Sequence, residues 1–179
     1  MPEAKPSSPS LLKAGISGVV IFGLIIFAVI AMNTGDLLWF YPVFKEVPVG
    51  IIVHCYGTDV EVKPGKPAFE LVNNAVNTSL TGSKRWDDTS MSDVTYQEYQ
   101  ASPTMMVIEL RYDPPATIHS QYAFFKDVNW LIIPLDGRLA ATNAVFARTG
   151  DFTNSGSYHV KSTAAIVTAL QEQGICTKP

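Results

Sequence analysis

Residues 14 to 32, AGISGVVIFGLIIFAVIAM, run for nineteen residues without a charge. At about 1.5 Å of rise per residue, a helix of that length covers roughly 29 Å, close to the ~30 Å hydrocarbon core of a bilayer. Helices buried in soluble domains are usually shorter and amphipathic. The run therefore predicts a transmembrane helix. It divides the chain into a tail (1–13), a span (14–32), a juxtamembrane linker with an aromatic interfacial segment (33–48) and a folded domain (49–179).

Lys5, Lys13 and the terminal amine stand before the run against one acid, Glu3, and the first charge after it is Asp36. The positive-inside tendency then predicts a single-pass protein of the cell membrane with a cytoplasmic amino terminus and an extracytoplasmic carboxy-terminal domain. A cleaved secretory signal is the competing expectation, because Val29 and Ala31 offer small-residue spacing for a peptidase before Met32. A cleavable apolar region typically runs about 7 to 15 residues, which favours an uncleaved anchor. No cysteine closes the run, so a bacterial lipoprotein anchor is excluded.

Ala14, Gly15, Gly18 and Gly23 thin the first half of the span, and such a face permits close helix approach. In LLWFYPVF, residues 37 to 44, Trp39, Phe40 and Tyr41 include types that settle at the headgroup layer. Gly15, Gly18, Trp39, Phe40 and Tyr41 are accordingly the expected contacts with lipid or with a membrane-protein partner.

About 135 residues follow that segment, enough for one domain with a core of its own. Two of the 13 basic residues and one of the 16 acidic ones precede Met32, which leaves 11 and 15 beyond it and a net charge of −4. Nucleic acid is disfavoured as a partner, since the one adjacent basic pair, Lys84-Arg85, runs straight into Trp86-Asp87-Asp88. Cys55 and Cys176 both fall in the translocated part, where disulfides persist, and a bridge between them is the simplest expectation. Two unrelated thiols are the alternative.

Val49 to Tyr56 reads as a buried strand and Asp59 to Lys63 as its hairpin partner. Pro67 to Leu80 carries apolar residues at helical spacing, with Pro67 in the first turn and Gly82 as the stop. The polar stretch 81–103 holds room for a short helix from Ser92 to Ala101, with Ser90 preferred over Ser92 as its cap. Thr104 to Tyr112 is a strand that Asp113-Pro114-Pro115 is expected to end. Val128 to Leu135, Thr142 to Arg148 and Tyr158 to Val160 follow as strands, and Ser162 to Gln173 as a helix closed by Gly174. This order predicts an α+β fold: one transmembrane helix, then a single, mainly antiparallel sheet with two principal helices on one face.

No catalytic motif stands out. His54, His119 and His159 lack the spacing of metal ligands, so neither a metal nor a cofactor is expected, and His54 reads as a strand residue satisfied by a backbone acceptor. Nothing local activates Cys55 as a nucleophile. Asn77-Thr78-Ser79 matches a glycosylation acceptor but lies inside the expected helix. Arg111, Arg138 and Arg148 stand near strand ends beside Asp113, Asp136 and Asp151, which suggests local carboxylate pairing. Were those strand ends to converge, Arg111, His119, Arg138 and Arg148 would make an anion or partner site.

By elimination, the expectation is a non-enzymatic, membrane-anchored protein-interaction domain, an accessory or assembly subunit or an envelope regulator. An extracytoplasmic sensor for a small anionic ligand is the alternative, and a Cys55-dependent enzyme the third reading.

Overall fold

The structure, a computed structural model, describes residues 11–150, 152–153 and 155–179, without the side chains of residues 124, 152 and 153. Residues 1–10 of the expected tail and Asp151 lie outside the described residues.

Helix α1, Leu11–Thr34, is 24 residues long and is the one described helix long and apolar enough to cross a membrane. It exceeds the charge-free run at both ends because Leu11, Leu12, Asn33 and Thr34 continue the helical path, and the Thr34 hydroxyl donates to the Ile30 carbonyl at 2.9 Å. Gly35, at φ 65°, stops it in the left-handed conformation a helix end favours.

The domain is an antiparallel sheet with the strand path β2-β1-β4-β5-β6-β8-β3, and β7 pairs with β6. Its strands are β1 (Gly50–Cys55), β2 (Thr58–Val62), β3 (Arg85–Asp87), β4 (Met106–Ala116), β5 (Val128–Asp136), β6 (Ala144–Thr149), β7 (Phe152–Thr153) and β8 (Ser157–His159). The β1–β2 hairpin turns on Tyr56 and Gly57, both at positive φ, the geometry that matches the twist of a two-residue loop. The remaining helices are α2 (Pro67–Leu80), α3 (Asp93–Ala101) and α4 (Ala164–Glu172).

Alternation along the strands sorts two cores. Ile51, Val53, Ile108, Leu110, Leu131 and Ile133 face α2 and α4, where Phe69, Val72, Val76, Ile166 and Leu170 meet them. Val107, Ile132 and Phe146 point the other way, against Tyr99 of α3 and Met91. The two principal helices thus share one face as expected, and α3 covers part of the second.

Two local expectations are corrected. Strand β4 runs through Asp113-Pro114-Pro115 to Ala116, because its register shifts between Arg111 and Ala116 and the exposed prolines owe the ladder no donor there. The cap of α3 is Ser92, not Ser90: its hydroxyl accepts from Thr95 N at 3.1 Å.

Cys55 and Cys176 form a disulfide with their Cα atoms 5.7 Å apart. Beside it Asp136 accepts from the Tyr56 hydroxyl and from Lys178 Nζ, both at 2.8 Å, so the carboxy-terminal tail is fastened twice to the turn end of the sheet.

Candidate functional site

Three regions concentrate polar chemistry, and the first is the junction between α1 and the domain. After Gly35 the chain doubles back, with Asp36 Oδ1 accepting from Leu38 N at 2.8 Å. Trp39 and Phe40 thereby reach Phe27, with ring centroids 6.2 and 5.9 Å away. Phe27 lies seven residues before Thr34, about 10 Å back along α1. Asp36 Oδ2 meets His119 Nδ1 at 2.9 Å, Lys126 Nζ donates to the Gly35 carbonyl at 3.1 Å, and Tyr41 stands edge-on to His119. A cleft of about 190 Å³ opens here between Trp39 and Phe40 on one side and Lys84, His119, Ser120 and Gln121 on the other.

The second region is a groove of about 610 Å³ between the extended segment 43–47 and α2. The segment is tied at one end, where Phe44 N donates to Thr81 Oγ1 at 3.1 Å and Gly82 N to the Pro42 carbonyl at 3.0 Å. Beyond that point, among the described residues, Lys45, Glu46 and Val47 engage no main-chain group in a backbone hydrogen bond. Facing them is Asn73, 3 % exposed, whose Oδ1 is buried without a donor, and one turn on Asn77 Oδ1 is in the same state. A buried amide oxygen left unpaired is costly, so these two are acceptors that want a partner.

The third region is the sheet face beneath α3. His54 Nε2 contacts Glu109 Oε1 at 2.7 Å and His54 Nδ1 contacts Asp59 Oδ1 at 2.6 Å, while Gln100 Nε2 donates to Glu109 at 3.0 Å. Carboxylates, rather than the expected backbone acceptor, satisfy this histidine. Burial works to lower the His54 pKa, and the two carboxylates outweigh it, so the value ends raised. Burial likewise works to raise Glu109, but hydrogen bonds from His54, Tyr96 and Gln100 hold it below the usual carboxylate range. The result is a buried histidine–carboxylate pair under a helix.

The arginines are dispersed. Arg138 Nη2 meets Glu98 Oε2 at 2.6 Å and Thr95 Oγ1 at 3.2 Å. Arg148 Nη2 lies 3.7 Å from Asp93 Oδ1, with its guanidinium carbon 5.2 Å from the Tyr96 ring centre. Both therefore fasten α3 to the sheet, Arg138 in place of the expected pairing with Asp136, while Asp151, the expected partner of Arg148, lies outside the described residues. Arg111 shares a cross-strand row with Trp130 and Arg148 and sits over the Trp130 ring at 5.9 Å. His119 is apart from all three, in the junction. Gly15 and Gly18 face open space: a Cβ added at either meets nothing within 4 Å.

Of the residues the sequence singles out, the junction brings together Trp39, Phe40, Tyr41 and His119; Asn73 is not among them, Asn77 stands out only as a glycosylation acceptor, and Lys84 only in a basic pair set aside for the acids that follow it. An asparagine at helical spacing with the apolar stripe, as Asn73 is with Phe69 and Val76, was the available signal. Among the described residues no group of three or more His, Cys, Asp or Glu is arranged to hold a metal ion. The disulfide engages the Cys55 sulfur.

No protein-family model matches the chain, and no curated protein or solved structure resembles it significantly.

Proposed function

We propose that this chain is a single-pass membrane protein whose extracytoplasmic domain binds an extended segment of a partner protein, as an accessory or assembly subunit of a membrane complex. The observation that carries the reading is the groove beside α2. Its buried, donor-less amide oxygens on Asn73 and Asn77 face an extended segment of this chain, of which Lys45, Glu46 and Val47 make no backbone–backbone hydrogen bond among the described residues. An incoming peptide in extended form supplies main-chain N–H groups to the first and pairs with the second. Exposed Val47, 63 % accessible, gives it an apolar side chain to rest on.

The orientation has two supports. Lys5 and Lys13 precede the charge-free run of α1, and the disulfide is the chemistry of an oxidising compartment outside the cytosol. The small-anion reading is weakened, because Arg138 and Arg148 are engaged by α3 carboxylates and do not converge with His119.

The test is extraction from native membranes in mild detergent, comparing the unaltered chain with Val47→Asp and Asn74→Arg, which alter the exposed rims of the groove. A stoichiometric partner that co-purifies with the unaltered chain and is lost with both variants supports the reading. A solitary chain, or a partner indifferent to both variants, overturns it.

A further inference from the structure

We infer that the junction cleft binds the phosphate of an anionic membrane lipid, with Lys84 as its principal cation. The inference rests on the membrane-anchored reading above and adds a ligand to it.

The position comes first. The cleft lies where α1 ends, and its apolar wall, Trp39 and Phe40, is packed back against Phe27. Once α1 spans a bilayer, those rings sit at the boundary between acyl chains and headgroups, and the cleft opens at the level of the phosphates. Leu37, Leu38 and Phe40 remain exposed beside it, which suits contact with the upper part of an acyl chain.

Charge is the second ground. Lys84 is half-buried and, among the described residues, donates to the carbonyls of Gly82, at 3.1 Å, and Pro42, at 3.4 Å. Among the described residues it has no carboxylate partner, and burial lowers its pKa. A second cleft, of about 460 Å³, shares Ser83 and Lys84 with the first and adds Arg85 and Lys161. Neither of these is in an ion pair among the described residues, although the translocated part as a whole is acidic. The carboxylates that approach the site are already engaged: Asp36 by His119, and Asp87 by Thr89 with His159 at 3.8 Å.

The third ground is a donor without an acceptor. The Trp39 indole nitrogen is buried and unpartnered, and Trp39 lines the same cleft as Lys84. A phosphodiester offers what both groups lack: a negative charge for the ammonium and an oxygen acceptor for the indole N–H. A free phosphate offers the same oxygens but leaves Phe40 and Leu38 uncovered, so the lipid is the favoured source.

The experiment uses the full chain in nanodiscs of phosphatidylcholine, alone or with increasing phosphatidylglycerol, and reads the melting temperature and the lipid retained in native mass spectrometry. The expected result is a melting temperature that rises with phosphatidylglycerol and one anionic lipid retained. Lys84→Gln weakens the response about fivefold, as does Arg85→Gln, and Lys84→Arg preserves it. A chain that melts identically in both lipids overturns the inference while leaving the anchor standing. A chain that fails to enter nanodiscs overturns both. Equal stabilisation by glycerol phosphate in phosphatidylcholine discs assigns the cleft to a soluble anion and overturns the lipid.

Discussion

The Asp36 carboxylate meets the imidazole of His119 at 2.9 Å across 83 positions of sequence, and this contact joins the end of α1 to the domain. Lys126 adds a second tie through the Gly35 carbonyl. Because both groups of the pair are largely shielded, with side chains 11 % and 24 % exposed, the bond contributes more than a solvent-exposed pair would.

Asp36→Asn combined with Lys126→Ala therefore loosens the head on its stem by about 1 to 2 kcal/mol without unfolding it. The expected outcome is faster proteolysis within residues 35–48 at an unchanged melting temperature of the domain. Unchanged cleavage there refutes the role of the pair.

The His54–Glu109 pair makes stability depend on pH with a defined sign. His54 has a folded pKa above its ordinary 6.5, so its contribution is complete below that pH and is lost as pH rises through the folded value. Glu109 has a folded pKa below its ordinary 4.5, so its contribution is present above that pH and is lost as pH falls through the folded value. The melting temperature is expected to be highest between pH 4.5 and 6.5 and to decline on both sides. His54→Gln flattens the alkaline limb. A wild-type melting temperature that is constant from pH 5 to pH 8 contradicts the assignment.

Cys55 and Cys176 enclose a sequence separation of 121, and in the chain-entropy account a bridge of that span stabilises by roughly 4 to 5 kcal/mol. Cys55→Ser paired with Cys176→Ser is expected to lower the unfolding free energy by an amount approaching that, read by urea titration. Reduction of the unaltered chain gives the same loss, and addition of reductant to the double variant gives none.

Gly156, at φ 79°, leaves no room for a side chain: a Cβ there stands 2.6 Å from the Asp87 carbonyl oxygen and 2.6 Å from the Trp86 indole nitrogen. Gly156→Ala forces β3 away from β8 and is expected to cost at least about 2 kcal/mol. Gly65→Ala, also at positive φ but with nothing within 4 Å, carries the strain without the collision and costs less.

Strong local patterns made much of this fold legible. The charge-free run, the periodic apolar residues of α2 and the branched runs of β1 and β5 each state their element directly, because burial and backbone preference agree there. The misses share one cause, a partner distant in sequence. Pro114 and Pro115 end a strand by propensity, yet β4 carries them on a register shift that pairs Ala116 with Val128. Arg138 stands beside Asp136 in sequence yet pairs with Glu98 on α3, and Arg148 reaches Asp93 on the same helix. Lys84-Arg85, discounted because acids follow, escapes those acids: Asp87 turns to Thr89 and His159, and the two cations face the cleft beside Lys161.

The bridge between the first strand and the final residues also governs what a protease can liberate. One cut anywhere from Tyr56 to Ile175 leaves both pieces covalently joined, and through Cys55 both stay on the stem. Only severing the neck ahead of Gly50 sheds the head whole, so its release from α1 is confined to a single short stretch of chain.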